Sequence, residues 1–144
     1  MTHKPLKLLA RSAEDMDVLS AHIQDAVLQI GDMTFLDNQR RIVMLMNRYC
    51  WEQPESKHLR VRSALQIGGI LTAQRRNIRT DQSDGILSLL ALRFEADDAP
   101  AGTVSIIFSG GGEIRLAVEA CEAILEDITE PWPATRRPAH DANA

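Results

Sequence analysis

The chain has 144 residues, of which 44% are apolar and 4% aromatic, and it carries 16 lysines and arginines against 20 acidic residues. These values are typical of one soluble globular domain with a core that needs no disulfides or structural metal, and they exclude the small secreted scaffolds. The longest apolar run, over residues 86–92, is far shorter than the ~20 residues that cross a bilayer, so we expect no membrane contact.

The first predicted elements are a short strand over residues 6–10 and a helix over residues 12–26. Ser12 is followed three positions later by Asp15, a spacing typical of a helix N-terminus. Apolar residues then recur at three- and four-residue spacing as far as Ala26. One stripe of the helix is therefore expected to pack against a sheet.

From residue 27 onward the hydrophobic period is two, which predicts antiparallel strands. We expect them near residues 27–36, 41–51, 59–67, 70–78, 85–95, 103–109 and 113–120. Within the first of these, Gly31 and Asp32 indicate a bulge. The strand over 85–95 is apolar on both faces, so we expect it to be central and covered by the helix or by a second subunit.

The three glycines at 110–112 predict the turn of a hairpin between the last two strands. A three-residue loop at this point places apolar residues opposite one another, as a buried sheet face requires. The predicted pairs are Phe108 with Ile114, Ile106 with Leu116 and Val104 with Val118.

Residues 119–128 fit both a helix and a strand, and their alanine and glutamate content favours a helix. Prolines after Thr129 cannot continue either element, and Trp132 is expected to anchor the chain there. The predicted fold is α+β: a single domain over residues 1–132, with a curved antiparallel sheet or barrel of seven to eight strands packed by one or two helices, pleckstrin-homology-like in its specific form. Residues 133–144 are predicted to form a flexible tail.

Charge is distributed unevenly along the chain. The net charge is −3 over residues 1–39, +7 over residues 40–79 and −8 over residues 80–144. Thirteen of the sixteen basic residues are arginines, whose planar guanidinium suits carboxylate and phosphate groups, although a GC-rich genome produces the same bias. The middle segment therefore places its positive charge on two or three adjacent strands.

The pair Gly68-Gly69 decides how the arginines of this segment are arranged. If the two glycines form a hairpin turn, Arg62 lies directly opposite Arg75, with Arg60 on the same face. Like charges at opposed positions destabilise a hairpin unless something compensates for them. If the glycines are instead a bulge in one long strand, this arrangement does not form.

The compensating charge has two possible sources. One is internal, from carboxylates of the C-terminal third such as Glu119, Glu122 or Glu126, and the other is an external anion. The candidate anion-binding residues are Arg60, Arg62, Arg75 and Arg76.

No spacing of residues predicts a catalytic or metal site. Cys50 and Cys121 each lack a C-x-x-C partner, so we expect two reduced, buried thiols, and no cofactor is predicted. The adjacent carboxylates 97–98 indicate a polar turn, and the pair 126–127 indicates a solvated end of the last element. Glu14 and Asp15 interrupt the region where a signal peptide needs an apolar run, so the expected location is the cytoplasm.

Several short segments together resemble a known family. They are Leu6-Lys7-Leu8, Glu14-Asp15, Gln24-Asp25-Ala26, Arg60-Val61-Arg62-Ser63-Ala64-Leu65, Leu87-Ser88-Leu89-Leu90, Gly111-Gly112-Glu113-Ile114-Arg115-Leu116 and Pro131-Trp132. With these the chain, over roughly residues 6–141, resembles the bacterial, mainly alphaproteobacterial domain-of-unknown-function family 2948. None of the segments is a catalytic signature, and the resemblance implies no activity, substrate or cofactor.

Three hypotheses for function follow. The first is a non-catalytic cytoplasmic binding or scaffolding protein that self-associates through an apolar sheet face. The second is a module that binds a small anionic ligand or RNA through its arginine-rich strand face. The third, a small enzyme of unrecognised type, has the least support, because no set of residues suggests a reaction.

Overall fold

The structure is a computed structural model that describes residues 4–54, 57–134 and 138. These residues form one α-helix and eleven strands, joined in places by single turns of 3-10 helix. The elements are β1 (Lys7–Ala10), α1 (Ala13–His22), β2 (Val27–Gln29), β3 (Met33–Leu36), β4 (Arg41–Tyr49), β5 (Leu59–Ile67), β6 (Ile70–Arg76), β7 (Ile86–Ala96), β8 (Gly102–Phe108), β9 (Glu113–Val118), β10 (Ala123–Asp127) and β11 (Trp132–Pro133).

The helix starts where the sequence predicts and ends earlier. The Ser12 side chain accepts a hydrogen bond from the Asp15 N–H at 3.1 Å, which caps the first turn. The helix stops at His22 rather than at residue 26, because Asp25 adopts a left-handed conformation with φ +63° and its N–H bonds to the Leu89 carbonyl. The predicted apolar stripe is nonetheless buried through Ala26.

All strand pairs are antiparallel, and they form a sheet in the order β1-β10-β5-β4-β2-β7-β8-β9-β6. β3 pairs with β4, and β11 pairs with β5. The fold is therefore an antiparallel sheet with one helix, as the α+β class predicts. The predicted count of seven to eight strands was too low. β10 was predicted as a helix, the region 27–36 is two strands, and β11 was not predicted as a strand.

Two local features explain these differences. Alternation buries Ala123, Leu125 and Asp127 on one face of β10, so pairing with β5 and β1 overrides the helical propensity of this segment. At the predicted bulge, a 3-10 turn over Ile30–Asp32 separates β2, which pairs with both β4 and β7, from β3, which pairs with β4. A side chain at Gly31 would come within 3.0 Å of the Ser83 carbonyl oxygen.

Gly68 and Gly69 bend the chain between β5 and β6 and do not close a hairpin. β5 pairs with β4 and β10, whereas β6 pairs with β9. Gly69 has φ +68°, a conformation that glycine adopts without strain, and its carbonyl accepts a hydrogen bond from the Glu119 N–H. The predicted alignment of Arg62 opposite Arg75 is therefore wrong. The two glycines are not a bulge in one long strand either, because β5 and β6 are separate strands with different partners.

The hairpin of β8 and β9 is confirmed, with its register shifted from the prediction. Ile106 lies opposite Ile114 and Val104 lies opposite Leu116, because the turn occupies Ser109–Gly111 rather than residues 110–112. An even shift leaves the same side chains on the same face, so the predicted apolar residues remain buried.

The core lies between the sheet and the helix. α1 packs on β7, where the Ser20 hydroxyl accepts a hydrogen bond from the Leu92 N–H at 2.9 Å. The central strand 85–95 is thus covered by the helix, as one of the two alternatives predicted. Cys50 and Cys121 are free and buried. No helix in the described ranges is long and apolar enough to cross a membrane.

The C-terminal segment returns to the sheet through β11. Trp132 lies opposite Arg60, and the Ala134 N–H donates to the His58 carbonyl at 2.7 Å. The backbone is anchored here, while the Trp132 side chain stays 37% exposed. Most of the predicted flexible tail, at 135–137 and 139–144, lies outside the described residues.

Candidate functional site

The four candidate arginines lie in two separate places. Arg60 and Arg62 are on β5, beside β4, whereas Arg75 and Arg76 are on β6 beyond the Gly68-Gly69 bend. The structure therefore does not bring the four guanidinium groups to one face, and each pair has its own surroundings.

Arg60 and Arg62 are used within the protein. Arg62 donates to the Asn47 side-chain oxygen at 3.0 Å and lies 3.4 Å from an Asp32 carboxylate oxygen. Arg60 donates to the Asn47 carbonyl at 3.0 Å, and its guanidinium lies 6.0 Å from the centre of the Tyr49 ring. Burial lowers the pKa of Arg60 below its ordinary value, and the negative charge of Asp25 offsets only part of this decrease. Both arginines thus hold β4 and β5 together.

Arg75 and Arg76 lie opposite Ile114 and Glu113 of β9. Both side chains are exposed. In the part of the chain that the structure describes, neither guanidinium has an ion pair or a side-chain hydrogen bond. These two arginines therefore differ from Arg60 and Arg62 in having all their donors available.

A groove lies beside these two arginines, and we call it the Arg75 groove. Its volume is about 810 Å³, within the range of roughly 300–1,000 Å³ that is common for ligand sites. The lining residues are Phe35, Asp37, Ala73, Gln74, Arg75, Arg76, Glu113 and Arg115. Arg115 pairs with Glu113 at 3.2 Å, so the lining charges left over are Asp37 and the two unpaired arginines.

Two smaller cavities adjoin the Arg75 groove and share Phe35 with it. One, of about 210 Å³, is lined by Leu71 and Ile70 together with Arg40 and Arg41. Arg40 is already paired with Glu119 at 2.7 Å and Arg41 with Glu122 at 3.1 Å.

The other cavity, of about 220 Å³, is mostly apolar and includes Ile30, Met33, Ile78 and Ile114. The groove is therefore polar at its arginine end and apolar along Phe35.

The sequence analysis named Glu119, Glu122 and Glu126 as acidic residues that could compensate the candidate arginines. They do pair with basic residues, but their partners are Arg40, Arg41 and Lys7.

A second charged cluster is buried and was not predicted. Arg48 is 0% exposed, and it donates from Nε and Nη2 to the two carboxylate oxygens of Asp127, both at 2.9 Å. Its Nη1 and Nη2 donate to Glu52 at 2.9 and 2.8 Å, and Nη1 also reaches the Tyr49 carbonyl at 3.3 Å. All five guanidinium N–H donors are thereby used.

The Asp127 carboxylate accepts two further hydrogen bonds. The Ser63 hydroxyl donates to it at 2.7 Å, and the Leu6 N–H donates at 2.9 Å. Burial alone raises the pKa of Asp127, but hydrogen bonds from Arg48, Leu6 and Ser63 outweigh it and lower the pKa to about 2. Burial lowers the pKa of Arg48, but the carboxylates of Glu52 and Asp127 outweigh it and raise the pKa above its ordinary value. The cluster joins β4, β5, β10 and the residue before β1, and the donors named here are all used within it.

Alternation in the strands is the signal that could have revealed this cluster. Arg48 follows Ile42, Met44 and Met46 at every second position, and these four share the buried face of β4. Asp127 likewise follows Leu125 on the buried face of β10. The prediction of a solvated carboxylate pair at 126–127 is therefore wrong for Asp127.

Neither cysteine is placed for nucleophilic chemistry. Burial raises the pKa of Cys50 and of Cys121 to about 11, so both thiols are protonated at neutral pH. A hydrogen bond of 3.1 Å joins Nδ1 of His58 to the Tyr49 hydroxyl, and it fixes the His58 ring beside β4. The Arg75 groove combines a concave surface with two arginines that have no ion pair among the described residues.

Residues 6–140 match the sequence model of a family described as "Protein of unknown function (DUF2948)", which covers nearly the whole chain. The comparison with curated proteins and the comparison with solved structures each returned no match.

Proposed function

The chain belongs to the DUF2948 family, and we propose that it is a non-catalytic binding protein that holds an anionic ligand in the Arg75 groove. The observation that carries this proposal is that Arg75 and Arg76 line a cavity of about 810 Å³ and, among the described residues, have no ion-pair partner. Of the four candidate anion-binding arginines, the proposal keeps Arg75 and Arg76, because Arg60 and Arg62 already have partners within the protein.

The chemistry of the groove supports a carboxylate or phosphate ligand. A guanidinium presents parallel N–H donors that match two oxygens of such a group, and hydrogen bonds to charged groups contribute about 1.5–3 kcal/mol each. Arg75 and Arg76 are adjacent in β6, so their side chains point to opposite faces of the strand. A ligand that contacts both must therefore reach around the strand or along its edge.

The test compares a double variant with a matched control. Arg75→Ala/Arg76→Ala removes both unpaired guanidinium groups, and Arg93→Ala removes an exposed arginine of β7 that is outside the groove. Binding of inorganic tripolyphosphate and of a short single-stranded RNA is measured by calorimetry at low and raised salt. We expect the double variant to bind either probe at least about tenfold more weakly, and Arg93→Ala to bind like the wild type.

The result that would overturn the proposal is equal affinity in the wild type and the double variant. Loss of binding in Arg93→Ala alone would place the anion site elsewhere on the sheet. Weakening by salt in the wild type, reduced in the double variant, would indicate that the arginines contact the anion directly.

The proposal also retains three expectations from the sequence. They are a pleckstrin-homology-like form of the sheet, a cytoplasmic location and self-association. Self-association is the alternative function, and light scattering at micromolar concentration tests it. A dimer mass would support the scaffold hypothesis, whereas a monomer mass throughout would remove it.

A further inference from the structure

The strand that carries Arg75 and Arg76 has an open edge. Within the described ranges, β6 is the last strand of the sheet and its ladder partner is β9. After Ile70, every residue of β6 is exposed. A strand edge of this kind presents one alternate set of backbone N–H and C=O groups that the sheet does not satisfy.

The inner face of β6 is also uncovered. Ala73 and Arg75 lie opposite Leu116 and Ile114, which are buried in the core. Residues directly opposite each other in a ladder share a face, so Ala73 and Arg75 face inward and yet remain exposed. The Arg75 groove lies along this edge of the sheet, because Ala73 and Arg75 line it from the inner face and Gln74 and Arg76 line it from the other.

Across the groove lies a second strand with an open edge. β3 is paired with β4, and the ladders described here give it no other partner. Its Phe35 is 37% exposed and lines the groove together with Ala73. The groove is thus bounded by two strand edges, with an apolar contact on one side and two arginines on the other.

We propose that the anionic ligand of the groove is an extended acidic peptide segment of a partner protein, which adds to β6 as an antiparallel strand. This inference rests on the proposed function and names its ligand class. A peptide strand supplies both things that the site lacks, namely carboxylates for Arg75 and Arg76 and backbone groups for the open edge of β6.

Charge complementarity selects this occupant over two others. A second copy of β6 would bring the same arginines to the edge and no carboxylate. A nucleic acid would bring negative charge but has no repeating N–H and C=O groups to continue the ladder. The acidic peptide is the occupant that satisfies both the charge and the backbone.

Register then predicts the pattern of the peptide. In an antiparallel ladder the residues opposite Arg76 and Arg75 are acidic and the one opposite Ala73 is apolar, where Phe35 offers a contact. A second apolar residue extends toward the exposed Leu71 side chain, which lies at the register shift between Ile70 and Thr72. The blocked peptide Glu-Glu-Thr-Val-Thr-Val follows this pattern. It serves as the probe, with a Lys-Lys-Thr-Val-Thr-Val peptide as the charge control.

The decisive control changes the backbone and leaves the charge intact. Two versions of the acidic peptide are N-methylated, one at each alternate set of amides, so that one version loses the N–H groups that face β6. We expect that version to bind about tenfold more weakly and the other to bind much as the unmodified peptide does. The Ile70 N–H already donates to the Arg40 carbonyl at 3.0 Å, so we expect bound peptide to slow hydrogen exchange of alternate amides within residues 72–76.

The outcomes separate this inference from the proposed function. If tripolyphosphate binds through Arg75 and Arg76 but both methylated peptides bind like the unmodified one, the groove holds anions and the strand addition is wrong. If the acidic peptide does not bind while tripolyphosphate does, the ligand class is wrong. If neither probe responds to Arg75→Ala/Arg76→Ala, the proposed function itself fails, and the arginines act only to keep β6 from pairing with other chains.

Discussion

Arg48 and Arg75 carry the same side chain in opposite settings. Arg48 is 0% exposed and uses all five donors on Asp127, Glu52 and the Tyr49 carbonyl. Arg75 is exposed in a groove and, within the described part of the chain, has no ion pair. An arginine with every donor satisfied can only stabilise the fold, whereas one with free donors beside a concave surface can bind.

The two regions also differ in their strand edges. Arg48 and Asp127 sit where β1, β4, β5 and β10 converge, and each of the last three has neighbours in the ladder on both sides. Arg75 sits on β6, at the end of the sheet. In the open region one edge of β6 pairs with β9, while Arg75 and Arg76 have no ion pair among the described residues. Substitutions in the two regions should therefore affect different properties.

The largest expected effect comes from breaking the buried cluster. Arg48→Met leaves Asp127 buried without its cation, and removing one partner of a buried pair costs about 3–5 kcal/mol. We expect urea unfolding to report a loss of that size in the free energy of unfolding. Asp127→Asn/Arg48→Met, which removes both charges, should recover part of it, and a loss below about 1 kcal/mol in the single variant would contradict the structural role of Arg48.

A smaller effect is expected from pH, through Asp127. Its pKa falls from 3.8 to about 2 on folding, so the native state favours the ionised carboxylate. That stability is fully present above pH ~4–5 and is lost as the pH falls through about 2. It amounts to about 2 kcal/mol.

The measurement is the free energy of unfolding between about pH 5 and about pH 2 in the wild type and in Asp127→Asn. The wild type should lose about 2 kcal/mol more than the variant over this interval. Equal losses would show that Asp127 titrates alike in the folded and unfolded chains.

The open region should behave in the opposite way. Arg75→Ala/Arg76→Ala removes two exposed side chains without partners, so we expect the free energy of unfolding to stay within about 0.5 kcal/mol of the wild type for each substitution. The same variant is expected to lose anion binding. A loss of stability comparable to that of Arg48→Met would show that these arginines are structural after all.

The last prediction concerns the reactivity of the two thiols in the wild-type protein, and it needs no substitution. With a pKa of about 11 rather than 9.0, Cys50 and Cys121 each hold roughly a hundredfold less thiolate at pH ~8, and both are buried. We expect Ellman's reagent to react slowly with the native protein and rapidly with both thiols in guanidinium. Rapid reaction of Cys50 in the native state would mean that the region next to Arg48 opens readily.

Local pattern was sufficient for much of the fold. The Ser12 cap, the alternation in β4 and β5, and the β8-β9 hairpin each depend on neighbouring residues, and each was predicted. Pattern failed at β10, where helix and strand periods both fit, because its pairing with β5 is a contact between residues about sixty positions apart. It also left open whether Gly68-Gly69 turns or bends the chain.

Two of the four arginines that the sequence analysis singled out, Arg75 and Arg76, line the groove, and their binding of an anion stays a prediction. An excess of arginine over residues 40–79 pointed to Arg75 and Arg76, but equally to Arg60 and Arg62, whose partners Asn47 and Asp32 lie on β4 and in the 3-10 turn after β2. The buried cluster of Arg48 was missed because an inward-facing arginine is tolerated only when distant carboxylates reach it, and Asp127 is 79 positions away.

By itself, then, the sequence determined the α+β class, the N-terminal cap, the period-two strands and the concentration of positive charge in the middle of the chain. Only the tertiary structure decided which arginines are neutralised and which face a groove. The physical reason is that hydropathy period and turn residues act over a few positions, whereas an ion pair or an open strand edge depends on which distant strand lies alongside. The bend at Gly69, where φ is +68°, separates the satisfied arginines of β5 from the free ones of β6.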